Sequence, residues 1–240
     1  MGVIGIIVPI LLLITSYLLG SIPSALIIGK VFKGIDIREY GSKNMGTTNT
    51  LRVLGLRWAL IVFILDALKA AVVVSLFSSG LLDYQADWMI IEIHPVIYGL
   101  VAVVGHAFPI FAEFKGGKGI ACSAGIAMAY CPLIFVIAIS VFFIVLLISK
   151  YVSLSSILGI FTAFICSFFK PKAHHTFREL FSGTAALGVI DWVFVACVFV
   201  LLIFIIIMHR KNIVKIFKKQ ENKTDLIEIL KRKLKKKKSN

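Results

Sequence analysis

Charge is scarce in this 240-residue chain, where 16% of residues are charged and 59% hydrophobic. Water-soluble domains carry nearer a quarter charged and half apolar residues, so a single soluble core is excluded. The same composition excludes a disordered chain. Negative charge is the scarcer sign, with 12 Asp and Glu against 26 Lys and Arg. Cysteine is limited to Cys122, Cys131, Cys166 and Cys197, all in apolar stretches without CxxC or metal-ligand spacing. They are expected to be small core residues, with neither a disulfide nor a metal site. No basic stretch precedes the apolar segment Met1–Ile28, which argues for a retained first span over a cleaved signal peptide. A Walker A loop is missing too, because Gly119-Ile120 follows Lys118 where Ser or Thr is required, so ATP hydrolysis is unsupported.

What is present is a series of apolar runs, each near the roughly 20 residues that cross a bilayer as a helix. The fold class expected is all-α, a polytopic transmembrane helical protein. Candidate spans are Val3–Ile28, Trp58–Ser79, Met89–Phe111, Ile120–Tyr130, Leu133–Ser149, Leu154–Phe169 and Gly183–Met208. Basic residues favour the cytoplasmic side. Thirteen of them lie in Arg210–Lys238 and six in Lys30–Arg57, whereas Leu81–His94 has none and carries Asp83, Asp87 and Glu92. Lys30–Arg57 and the C-terminal tail are therefore expected inside, and Leu81–Trp88 outside. No RNA- or DNA-binding motif accompanies the net charge of +14, so a nucleic-acid partner is not expected.

Parity then bears on Ile120–Tyr130, which at about 1.5 Å per residue is short for a crossing. With the N-terminus outside, the third span returns inside near Phe114, and the basic tail must also end inside. Counting Ile120–Tyr130 as a short span that turns at Cys131-Pro132 gives seven spans and a cytoplasmic C-terminus. A five-span arrangement would require a later segment to be re-entrant. Seven spans place Lys170, Lys172 and Arg178 outside, against the charge rule.

Three inside segments are rich in polar groups. Gly41-Ser42-Lys43-Asn44-Met45-Gly46-Thr47-Thr48-Asn49, followed by Arg52, offers glycine backbone, hydroxyl and amide donors and a planar fork for phosphate. It would equally suit a polar loop with Thr48 or Asn49 capping the next helix. In Phe114-Lys115-Gly116-Gly117-Lys118-Gly119, free N–H groups, a helix start and two ammoniums make a candidate anion cradle, or a glycine hinge with inside lysines. His209 and Asn212 share a helix face where the last span ends, as a catalytic pair or an interfacial helix end. Asp66 and Lys69, three apart within a span, are expected to form a structural charge pair. In the tail, Asp225 and Glu228 fit a capping box, with Leu226, Ile227, Leu230 and Leu234 on one face. A basic amphipathic helix on anionic lipid and a solvated disordered tail both fit that pattern.

Taken together, Gly20-Ser21-Ile22-Pro23, Gly41-Ser42 with Asn44, Gly46, Thr48, Asn49 and Arg52, Gly105-His106 with Phe108-Pro109, Phe114–Gly119, and His209-Arg210 with Asn212 resemble the PlsY family. The family consists of bacterial membrane enzymes that transfer an acyl group from acyl phosphate to glycerol 3-phosphate. The resemblance covers about residues 1–223, implying a transmembrane acyltransferase domain there and a basic C-terminal tail at 224–240. It also implies seven spans, a multi-pass location in the bacterial cytoplasmic (inner) membrane, a cytoplasmic-face site, no cofactor and no metal. The product implied is lysophosphatidic acid, in the first step of phospholipid synthesis, made by a monomer or weak oligomer in the lipid bilayer.

Carried over by residue, the resemblance implies that Ser42, Arg52, His209 and Asn212 are catalytic. It assigns substrate binding to Asn44, Thr48, Asn49, Lys115, Gly116, Gly117, Lys118 and Gly119, with Ser153 reaching the same site. Glu221 is implied to be structural. Lys219 stands where the family usually has Gly, and Lys215 where it usually has Arg, which puts the local turn in doubt. Of the other classes, a transporter tends to show repeats and midplane broken helices, whereas these motifs cluster at one face. The acyl-CoA-using family with an HxxxxD motif is disfavoured, because none of His94, His106, His174, His175 and His209 has Asp five residues later. A membrane adaptor using its basic tail would explain none of the three polar segments.

Overall fold

The computed structural model describes residues 2–78, 81–83, 90–169 and 190–229. Lys170, Lys172, Arg178, most of the outer loop expected at Leu81–Trp88 and the Leu230 and Leu234 face of the tail lie outside the described residues. The described chain is helical throughout: α1 (Gly2–Ser21), α2 (Ser24–Lys33), α3 (Thr47–Val53), α4 (Leu56–Ser78), α5 (Pro95–Ala107), α6 (Ile120–Tyr130), α7 (Pro132–Ser149), α8 (Val152–Ser167) and α9 (Trp192–Phe217). Among the described residues, five helices are long and apolar enough to cross a membrane: α1, α4, α7, α9, and α5 continued through the 3-10 turn Ile110–Ala112. The apolar helices α6 and α8 are shorter.

The third and last candidate spans start later than expected, at Pro95 and Trp192, and two further boundaries bear on the site. The first span does not run from Val3 to Ile28, because α1 ends at Ser21 and a separate helix starts at Ser24. Pro23 has no N–H to donate and disfavours helical backbone at Ile22, and hydropathy does not register that break. The last helix does not end at Met208 but continues to Phe217, so His209 and Asn212 lie on its face rather than at its exit.

Helix ends meet in two groups. At one end, Tyr130 at the end of α6 bonds both His94, before α5, and Asp191, before α9. The start of α1 is there too, with Gly5 O accepting from Ile90 N at 3.3 Å. At the other end, Tyr17 of α1 donates to Phe108 O after α5 at 2.9 Å. There the start of α6 also meets the C-terminal part of α9, through Lys118 and Asn212. The core between is apolar, built from Ala102, Cys122, Ile126, Ile134, Phe194 and Leu201 among others. All four cysteines are free, and Cys122, Cys131 and Cys197 are buried as expected.

Without a hydrophobic force between helices in lipid, close backbone approach drives packing. α6 lies so near α4 that a Cβ at Gly125 would stand 2.0 Å from Ala67 O. Gly125→Ala should therefore destabilise the bundle by about 1–3 kcal/mol, read as a lower unfolding temperature in detergent.

α9 stops in a Schellman turn. Gln220 N donates to Lys215 O at 2.8 Å and Lys219 N to Ile216 O at 2.9 Å, with Lys219 at φ +56°. That conformation is the one glycine adopts without strain, whereas a lysine there is strained. The segment then folds back: Thr224 N donates to Lys150 O at 2.8 Å, and Lys150 pairs with Asp225 at 2.5 Å. Asp225 Oδ1 also caps the helical residues 226–229 through Glu228 N at 3.0 Å. Attachment thus continues into the first residues of the expected tail. Lys219→Gly should stabilise the protein by about 1 kcal/mol, seen as a higher unfolding temperature with the same helical content.

Candidate active site

The loop after α2 is organised from within. Gly34 closes α2 in the left-handed conformation, and Asp36 caps the 3-10 turn Ile37–Glu39 by accepting from Arg38 N. Asn49, 1% exposed on α3, then gathers the loop around its side chain. Its Oδ1 accepts from Ser42 N at 2.7 Å and Ser42 Oγ at 3.1 Å. Its Nδ2 donates to Ile37 O and Tyr40 O, each at 3.1 Å. All four bonding positions of the amide are thereby used, so Asn49 shapes the loop that presents Ser42. The helix cap is Gly46, not Thr48 or Asn49. Asn44 and Thr48 are half-buried beside it, and Ser42 and Arg52 are exposed. Arg52 donates to Asn222 O at 3.4 Å, joining this loop to the segment after α9.

The glycine loop lies against the end of α5. Glu113 and Phe114 both have positive φ and turn the chain back, so that Gly116 N donates to Ala107 O and Gly117 N to His106 O, both at 3.1 Å. The expected cradle of free glycine N–H groups is corrected on these two residues, whose donors are spent on α5 carbonyls. Their lack of a side chain serves close approach instead: a Cβ at Gly117 would stand 2.1 Å from His106 Nε2. Gly119, at φ +88°, starts α6.

The two lysines of this loop part company. Lys118 Nζ donates to Asn212 Oδ1 at 2.6 Å. Asn212 Nδ2 donates to Glu221 Oε1 at 2.7 Å, and Ser153 Oγ donates to the same oxygen at 3.0 Å. Burial pushes the Lys118 ammonium down to about 8, opposed by Glu221 and assisted by Arg52 and Lys215. Lys115 is exposed and lies 3.3 Å from Glu113. With Arg38, Lys43, Glu113 and Gly116 it lines a separate cleft of about 370 Å³. Arg38 and Lys43 escaped notice in the sequence because the cleft forms only when two remote loops meet. His209, 3% exposed, has Nδ1 2.9 Å from Ile205 O. A carbonyl only accepts, so Nδ1 carries the proton and Nε2 is the acceptor.

The structure therefore brings together Lys118, Asn212, Glu221 and Ser153, with Arg52 joined through Asn222, and holds Ser42 on the adjoining loop. Asp66 and Lys69 pair at 2.5 Å within α4, behind the glycine loop. Among the described residues, no group of three or more His, Cys, Asp or Glu side chains stands ready to hold a metal ion. The arrangement can hold anions between cations and orient a hydroxyl.

Comparison with known proteins agrees with this chemistry. The family described as Glycerol-3-phosphate acyltransferase matches residues 10–219. A glycerol-3-phosphate acyltransferase of Bacillus subtilis (strain 168) is 44% identical over 214 residues, spanning 89% of this chain and 96% of that protein. The crystal structure of PlsY, an integral membrane glycerol 3-phosphate acyltransferase, in its glycerol 3-phosphate form matches with a TM-score of 0.72 and 32% identity over 92% of this chain and 98% of that one. Its lysophosphatidic acid form matches with the same TM-score at 31% identity, over 92% and 97%. The chain belongs to the glycerol-3-phosphate acyltransferase (PlsY) family and is an integral membrane acyltransferase.

Proposed function

We propose that this enzyme transfers an acyl group from an acyl phosphate directly to the 1-hydroxyl of glycerol 3-phosphate, giving lysophosphatidic acid for phospholipid synthesis. The observation that carries this reading is the joined cluster of Lys118, Asn212, Glu221 and Ser153 beside Arg52, opposite a loop that presents Ser42. Arg52 and Lys118 hold phosphate, whereas the separate cleft of Arg38, Lys43 and Lys115 also contains Glu113, with Arg38 engaged by Asp36 at 2.7 Å, and lies outside the reacting centre. Asn44 and Thr48 add donors, with Asn49 holding their loop.

An acyl phosphate is a mixed anhydride and needs no further activation. The attacking hydroxyl oxygen bonds to the carbonyl carbon, the carbon–oxygen bond to phosphate breaks, and the proton passes to the departing phosphate. Asn212 and His209 Nε2 orient the hydroxyl, and the cations stabilise the charge that leaves. Ser42 is not the nucleophile, because its hydroxyl donates to an amide oxygen that cannot serve as a base.

Seven crossings, with the N-terminus outside and the site at the cytoplasmic face of the inner membrane, are supported by the two groups of helix ends. His94, Tyr130 and Asp191 gather at one end, and Phe108, Lys118 and Asn212 at the other.

Purified protein given labelled glycerol 3-phosphate should form lysophosphatidic acid from palmitoyl phosphate and not from palmitoyl-CoA. Ser42→Ala should lower that rate about 100-fold or more, the scale of losing one charge-stabilising donor. Mass spectrometry of protein incubated with donor alone should find Ser42 unmodified; an acyl ester there would overturn direct transfer.

The pH dependence follows from Lys118. A lysine lowered to about 8 is cationic below that value and neutral above it. The kcat/KM for glycerol 3-phosphate should therefore fall as pH rises through about 8, since it reports the free enzyme. Lys118→Arg should move that fall upward, and an unmoved limb would exclude Lys118 as its source.

A further inference from the structure

Three ionisable side chains beside the glycine loop are buried together: Asp66 at 1%, Lys69 at 8% and His106 at 6% exposure. Ionisable groups at membrane depth are rare and costly. A charge pair that fixes helix packing explains Lys69 on Asp66, both on α4, but leaves His106 on α5 unexplained. His106 Nδ1 stands 3.6 Å from Asp66 Oδ1. The other face of the ring meets the glycine loop. A Cβ at Gly117 would stand 2.1 Å from His106 Nε2 and 2.8 Å from Cε1, leaving no space for a methyl group. His106 O accepts from Gly117 N at 3.1 Å. The next residue is Lys118, whose Nζ reaches Asn212 at 2.6 Å.

We propose that Asp66 and His106 are positioning residues for Lys118: Asp66, held by Lys69, fixes the His106 ring, and the ring is the floor on which Gly117 lies. This rests on the reading that Lys118 binds the phosphate of glycerol 3-phosphate. Displacement of that loop by about 1 Å is enough to weaken a positioned contact severely. Neither residue touches the reacting atoms. Loss of the floor should therefore act on glycerol 3-phosphate binding, whereas simple helix packing would act on stability alone.

The test compares His106→Ala, Gly117→Ala and the double variant in the full-length protein. The readouts are KM for glycerol 3-phosphate and kcat at saturating palmitoyl phosphate, Kd for labelled glycerol 3-phosphate, and unfolding temperature. Each single variant should raise KM and Kd about tenfold, with kcat within about threefold. The double should be no worse than the poorer single, because both changes disturb one contact and an absent ring makes room for the methyl. Asp66→Asn should raise KM by a smaller factor, and Asp66→Glu should recover part of it. If the two effects instead multiply to about 100-fold, or unfolding temperature falls while KM and Kd stay put, the proposal fails. Lys118→Met separates the levels. Unchanged Kd in that variant would remove the phosphate-site reading and this proposal with it. A raised Kd there, beside an unchanged one in His106→Ala, would remove this proposal alone. Should His106→Ala not accumulate, His106→Asn serves in the same comparison.

Discussion

The hydrogen bonds of Asn212 join parts of the chain that are remote in sequence: Oδ1 accepts from Lys118 Nζ at 2.6 Å, and Nδ2 donates to Glu221 Oε1 at 2.7 Å. The amide has one allowed orientation here, because turning it over would set its NH₂ against an ammonium and its oxygen against a carboxylate. Each bond has a charged partner, the stronger class of hydrogen bond. Without the amide, a half-buried cation and a carboxylate would lose their shared partner, which costs more than the bonds themselves contribute. Through Asn212 the glycine loop, α9 and the returning segment form one body, and Ser153 on α8 joins it at Glu221.

That joint also accounts for the shortest apolar helix. Eleven residues of α6 span only about 16 Å, roughly half the hydrocarbon thickness. Its two ends nevertheless reach the same partners as much longer α9, Asn212 through Lys118 and Asp191 through Tyr130. The difference is made up by two of the longest side chains available, one at each end. The ammonium placed by this short helix is half-buried, and that burial lowers it to about 8.

Elements bounded by local punctuation were legible in the sequence, and contacts made across the fold were not. Ile120–Tyr130 was bounded correctly, since Gly119 and Pro132 mark its ends. The break at Pro23 was lost in a continuous apolar run. Ser42, Arg52, Lys118 and Asn212 stood out in the sequence as polar residues in separated segments, and the structure brings those segments to one end of the bundle. That Lys115 lines a cleft while Lys118 turns to Asn212 follows from loop geometry that their spacing does not encode. The glycine N–H groups looked free because their acceptors, His106 O and Ala107 O, belong to the end of another helix. Asn49 looked like a ligand for substrate, yet its four partners are on its own loop, seven to twelve residues earlier.

The state of Ser42 bears most directly on how the chemistry proceeds. An activated serine needs a base within hydrogen-bond reach to take its proton. Here the Oγ proton goes to an amide oxygen at 3.1 Å, which itself is held in place because Asn49 has no bonding position left to rearrange. A nucleophilic Ser42 would need a base in addition to release from Asn49. A donor role needs only that the hydroxyl turn toward an anion, while Ser42 N keeps its bond to Asn49 Oδ1 at 2.7 Å. For the proposed acyl phosphate donor, already activated as an anhydride, the remaining barrier lies in orientation and in developing phosphate charge. Fixed cations and fixed amides, which this end of the bundle concentrates, act on those two terms.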